Sequence, residues 1–81
     1  MRLDKFLKVS RLIKRRTVAN TVSDMGRVLV NGKTAKPSKQ LCVGDIIEIE
    51  YATKTDKVEV LIVPTGNVSI NDASTLYKIL E

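Results

Sequence analysis

The spacing of apolar residues changes character at Gly26, and that change limits the folds open to this chain. Before Gly26, Leu3, Phe6 and Leu7 fall at i, i+3 and i+4, one side of a helix. Thr17 is a candidate N-cap, followed at helical spacing by Val18, Ala19, Val22 and Met25. Gly26 stands where a left-handed residue would end that second helix, expected over about 17–25. After Gly26 the pattern is that of strands. Residues 27–30, Arg27-Val28-Leu29-Val30, read as a short strand, and Asn31-Gly32 is a strong signal for a two-residue hairpin turn. Residues 33–35 return, 36–39 are a polar loop, and 43–45 mark another turn. Strands are then expected over 46–51, where Ile47, Ile49 and Tyr51 alternate with Glu48 and Glu50, and over 57–63, stopped by Pro64. After a loop over 66–71, Ala73, Leu76, Tyr77 and Leu80 predict a terminal helix capped by Asn71 or Asp72. The expected core includes Leu3, Phe6, Leu7, Val18, Val22, Leu29 and Ile47.

Eighty-one residues suffice for one small α+β domain, with two short N-terminal helices packed on a small, mainly antiparallel sheet and a helix at the C-terminus. The expected division is a domain over 1–64 and, over 65–81, a loop and helix packed onto it.

Charge is segregated along the chain. Residues 1–40 carry eleven Lys and Arg against Asp4 and Asp24, a net of +9, whereas residues 41–81 have a net of −4. Solubility alone does not call for such segregation; a face that meets a polyanion does. The densest cluster, Arg11, Lys14, Arg15 and Arg16, lies between the two expected helices, and Arg2, Lys5 and Lys8 repeat every three residues along the first. Arg15 and Arg16 stand just before the second helix, where guanidinium and backbone N–H groups can converge on one phosphate. Asp4 reads as a first-turn acid or a partner for a nearby arginine. The acids of the second half, repelled by phosphate, are expected to point away from the basic face, leaving that half free to meet solvent or a protein.

The residue inventory argues against catalysis and against a bound metal or cofactor. There is no histidine, so no Ser-His or Cys-His pair can form. The single cysteine, Cys42, lies between Leu41 and Val43 and reads as a buried apolar thiol. No phosphate loop or dinucleotide fingerprint is present. Phe6, Tyr51 and Tyr77 are too few for an aromatic stacking platform. No apolar run approaches the length of a membrane span and no signal-peptide core is visible, so the expected location is cytoplasmic.

Four blocks in order, Met1 to Leu7, Arg15-Arg16-Thr17-Val18-Ala19, Gly26 to Gly32, and Gly44-Asp45-Ile46-Ile47, resemble the RNA-binding domain first described in ribosomal protein S-four, whose fold is the alpha-L motif. The resemblance covers residues 1 to about 51. The segment Lys8 to Thr17 is especially similar to the RqcP family of small bacterial ribosome-associated proteins, related to the fifteen-kilodalton heat-shock ribosome-binding family. The common domain pattern carries Ser-Arg-Ser where this chain has Arg15-Arg16-Thr17. What the resemblance implies is a non-enzymatic quality-control factor, with a monomer expected. It would bind ribosomal RNA and P-site peptidyl-tRNA on obstructed large ribosomal subunits, and support C-terminal alanine tailing by an RqcH-like partner. The implied RNA-binding residues are Arg2, Lys5, Lys8, Arg11, Lys14, Arg15, Arg16 and Thr17, with Asn20 outward on the second helix. Alternatives are a generic ribosomal-RNA-binding, assembly or heat-shock factor, and a protein-interaction module. A DNA-reading helix pair fits less well, because the cations precede the second helix and do not line its exposed face.

Overall fold

The computed structural model describes residues 1–66 and 68–80. Two helices, α1 (Leu3–Val9) and α2 (Arg16–Asp24), precede the strands β1 (Val28–Val30), β2 (Lys33–Thr34), β3 (Ile46–Glu50) and β4 (Thr55–Val60). A 3-10 helix over Ile70–Leu76 leads into β5 (Tyr77–Leu80). The five strands form one antiparallel sheet in the order β2-β1-β3-β4-β5.

The helices cover one face of this sheet. Leu3, Phe6 and Leu7 of α1 are fully buried against Val28, Val30, Ile47, Ile49, Val58 and Val60. The second helix places Ala19 and Ser23 inward, one turn apart. Val18, expected in the core, is instead 46% exposed, because the inward stripe of α2 runs through its neighbour Ala19. Leu29 is likewise only half-buried: with a period of two, Val28 and Val30 point inward and Leu29 lies on the other face.

Asn31 and Gly32 both have positive φ, 54° and 83°, as a type I′ hairpin requires. The Asn31 side chain also latches the hairpin to β3: its Oδ1 accepts from the Ile46 N–H at 2.9 Å and its Nδ2 donates to Asp45 at 3.1 Å. The other Asp45 carboxylate oxygen accepts from the Cys42 N–H at 2.9 Å. This turn over 42–45 corrects the expectation for Cys42. Leu41 takes the buried position and the Cys42 thiol is exposed.

The tail differs from expectation in its second half. Helix is present, but it is of the 3-10 type and ends at Leu76. The inward residues Ala73 and Leu76 are three apart, the repeat of a 3-10 turn. Tyr77–Leu80 then pairs with Lys57–Val60, filling hydrogen bonds that the edge of β4 would otherwise present unpaired. β4 itself starts two residues earlier than expected and stops at Val60, where the Leu61 and Ile62 N–H groups turn to the Leu76 carbonyl.

Candidate nucleic-acid interface

α1 and α2 meet around one carboxylate. Asp4 lies in the first turn of α1 with its side chain only 3% exposed. A buried carboxylate needs partners, and five groups supply them. Arg2 Nε lies 3.2 Å from Oδ1 and Arg2 Nη2 3.3 Å from Oδ2. The Lys5 N–H donates to Oδ1 at 2.8 Å, and Asn20 Nδ2 donates to Oδ2 at 3.2 Å from across the helix pair. Arg16 Nη2 is 3.5 Å from Oδ1. Burial alone would raise the Asp4 pKa. The Asn20 hydrogen bond, the Arg16 charge and the Arg2 contacts outweigh it and hold the carboxyl below its ordinary value.

The two arginines are about half exposed, at 45% for Arg2 and 48% for Arg16. Each guanidinium is fixed on one side by Asp4 and open to solvent elsewhere. One acid against two arginines leaves a net positive charge in a fixed geometry, suited to a phosphate oxygen. Arg16, Thr17, Asn20 and Thr21 line an open groove of about 450 Å³ beside Asp4. Thr17 is not the N-cap. Arg15 is extended there, the Ala19 N–H bonds its carbonyl at 3.0 Å, and Arg16 becomes the first helical residue. No side chain caps this end, which leaves the first backbone N–H groups of α2 without a side-chain acceptor.

The remaining cations lie on α1 and on the connection between the helices. Lys5 and Lys8 stand one turn apart on the exposed side of α1 and, with Arg11, line a second groove of about 320 Å³. Arg11 turns the chain out of α1 at φ 62°, a left-handed conformation uncommon for an arginine. Lys14 and Arg15 are exposed in the connection between the helices. Among the described residues, Lys5, Lys8, Arg11, Lys14 and Arg15 make no ion pair. The structure therefore gathers all nine sequence-predicted residues on α1, α2 and their junction. One expectation changes. Gly66, Val68 and Ile70 form the far wall of the Lys5–Lys8–Arg11 groove, so this part of the tail abuts the basic face. Thr21 also joins the site. It follows Arg16–Thr17 by one helical turn, and its hydroxyl donates to the Thr17 carbonyl at 2.9 Å.

The S4 domain model matches residues 1–47 of this chain, the stretch that holds both helices and the hairpin. The chain belongs to the S4-domain family. It is 50% identical to the RQC P-site tRNA stabilizing factor of Streptococcus pneumoniae, over all of this chain and 91% of that one. To the protein of the same description in Bacillus subtilis it is 44% identical, over all of this chain and 93% of that one. Among solved structures, the trimeric Heat Shock Protein 15 of Vibrio cholerae superposes with a TM-score of 0.88 at 29% identity, covering 99% of this chain and 81% of that one. The solution structure of the hypothetical protein HP1423 gives 0.85 at 34% identity, covering 100% and 98%. These two superpositions cover the tail as well as the stretch matched by the S4 domain.

Proposed function

We propose that this chain is a ribosome-associated quality-control factor that binds RNA through Arg2, Lys5, Lys8, Arg11, Lys14, Arg15, Arg16, Thr17 and Asn20. The observation that carries this reading is the buried Asp4, which fixes Arg2, Arg16 and Asn20 at the junction of two helices that also carry cations with no ion pair among the described residues. Relatives described as RQC P-site tRNA stabilizing factors, at up to 50% identity over the whole chain, support P-site peptidyl-tRNA and the adjoining ribosomal RNA of an obstructed large subunit as the targets.

In this role the protein is not an enzyme. It works in the cytoplasm by stabilising a bound tRNA while alanine tailing of the stalled nascent chain proceeds. Fixed guanidinium groups neutralise backbone phosphates, and ions released from the RNA supply much of the driving force. Glu48 and Glu59 lie on the sheet face opposite the helices, in register with Leu29, Lys57 and Lys78, and are available to an RqcH-like protein. The tail elements Ile70–Leu76 and Tyr77–Leu80 complete the same folded unit, and the protein acts as a monomer.

The likeness to Heat Shock Protein 15 favours a second reading, a more general heat-shock factor that binds ribosomal RNA. Sedimentation with purified large subunits separates the two. Retention should be stronger on subunits that carry peptidyl-tRNA; equal retention on empty subunits selects the general factor. With about five phosphate contacts made by the α1–α2 surface, that surface alone should make log affinity fall with log salt at a slope of roughly −4 to −5. A slope shallower than about −2, or equal binding to duplex DNA, overturns both.

A further inference from the structure

We propose that the loop over residues 33–39 is a second RNA-backbone contact, in which Lys33, Lys36 and Lys39 take phosphates. The proposal rests on the reading of the α1–α2 surface as an RNA face, and extends it to residues outside the two helices.

The three lysines recur every three residues, and all are exposed. With Thr34, Ala35 and Ser38 they line a groove of about 390 Å³. Among the described residues none of them makes an ion pair. Asp45, which is hydrogen-bonded to the hairpin residue Asn31, is also engaged by the Cys42 N–H. Three like charges around one groove repel each other, and among the described residues no acid forms an ion pair with them. A polyanion offsets them.

The backbone beneath the groove is hydrogen-bonded to the rest of the fold. Pro37 is buried, and its carbonyl accepts from the Asp4 N–H at 3.1 Å. The Lys39 carbonyl accepts from the Leu3 N–H at 2.8 Å, and the Lys39 N–H closes a turn on the Lys36 carbonyl at 3.0 Å. Lys33 is held in β2 opposite Val30. Ordering of this backbone is thus complete on folding and does not weaken binding.

The loop is also tied to the first site. Gln40 pairs with Arg2 in an antiparallel bridge, which puts the two backbones about 5 Å apart. The lysine groove and the Asp4-centred arginines therefore adjoin at Arg2, and an RNA held by one is near the other. The chemistry is that of backbone contact: ammonium groups act as point charges on phosphate, and no aromatic residue lines the groove to stack a base. A membrane surface does not fit, because the loop's apolar anchor, Pro37, is buried.

The test compares the full-length chain with a variant carrying Lys33→Gln, Lys36→Gln and Lys39→Gln, titrated against purified large subunits and against protein-free ribosomal RNA over a salt series. The salt slope should flatten by roughly 2–3, with binding weaker by about tenfold or more near 150 mM salt, on both targets. The matching Lys→Arg triple variant should retain the slope. Circular dichroism melts verify folding; the single variant Lys36→Gln, expected to flatten the slope by roughly 1, replaces the triple if it does not fold. An unchanged slope in the triple variant, alongside weakened binding by Arg16→Ala, overturns the lysine contact and leaves the α1–α2 face standing. Weakening on subunits alone assigns the loop to an acidic protein and also overturns it. If neither the triple variant nor Arg16→Ala alters binding, the RNA face itself is refuted.

Discussion

Asn20 Nδ2 lies 3.2 Å from Asp4 Oδ2, a hydrogen bond that joins α2 to the first turn of α1 across sixteen residues of sequence. Because the same carboxylate faces Arg2 and Arg16, this contact sets the distance between the two guanidinium groups as well as the packing of the helices.

Asp4 should therefore make stability depend on acid. Its folded pKa is depressed, so the unfolded chain takes up a proton more readily than the folded one. The stabilisation it provides is fully present above the ordinary carboxylate value of 3.8 and is lost as pH falls through the lower folded value. Asp4→Asn should cost about 2 kcal/mol at pH 7, and the difference in melting between it and the unaltered chain should shrink below about pH 4. A difference independent of pH would contradict the assignment.

Arg16→Ala should weaken binding to large subunits by about tenfold, the scale of one charge-assisted hydrogen bond, while the far-ultraviolet circular dichroism is unchanged. Arg16→Lys keeps the charge but loses the planar fork, so it should recover only part of the affinity. Normal binding by Arg16→Ala would remove this residue from the interface.

Arg11 should show stability and binding moving in opposite directions. At φ 62° the arginine is in a region that costs an L-residue with a side chain about 1 kcal/mol, and glycine adopts it freely. Arg11→Gly should raise thermal stability or leave it level while weakening RNA binding. A fall in both would mean that the Arg11 side chain holds the fold.

The hairpin is testable in the same way. A Cβ added at Gly32 meets nothing within 4 Å, so the effect of Gly32→Val comes from φ 83° alone and should be about 1 kcal/mol or more of lost stability. Asn31→Ala loses the latch to Asp45 and Ile46 as well, and should melt earlier still. Equal melting of either variant and the unaltered chain would exclude the turn as a contributor.

How much of this was legible depended on whether the cause was local. The stripe Leu3, Phe6, Leu7, the left-handed Gly26 and the Asn31-Gly32 turn each follow from residues within a few positions, and each is found. The cations of the site were equally legible, since nine positive charges in excess over forty residues must find surface. The tail was not. Ala73, Leu76, Tyr77 and Leu80 suit a helix in isolation, and only the open edge of β4 makes Tyr77–Leu80 a strand. Cys42 was misplaced although the turn at 43–45 was expected, because its apolar neighbours do not show that the turn begins at Cys42 itself and leaves Leu41 as the buried residue. The Asp4–Asn20 bond has no local signature; it appears only once α2 packs back on α1.

The bonds that seat α1 also have an order in time. The Leu41 N–H donates to the Met1 carbonyl, and residues 37–40 hold the backbone of Arg2, Leu3 and Asp4. Seven residues are too few for a helix to persist in water on its own. During synthesis the arginines thus leave the ribosome tens of residues before the segment that sets them. A chain still being made is flexible polycation first and shaped ligand only afterwards, once residue 41 has emerged.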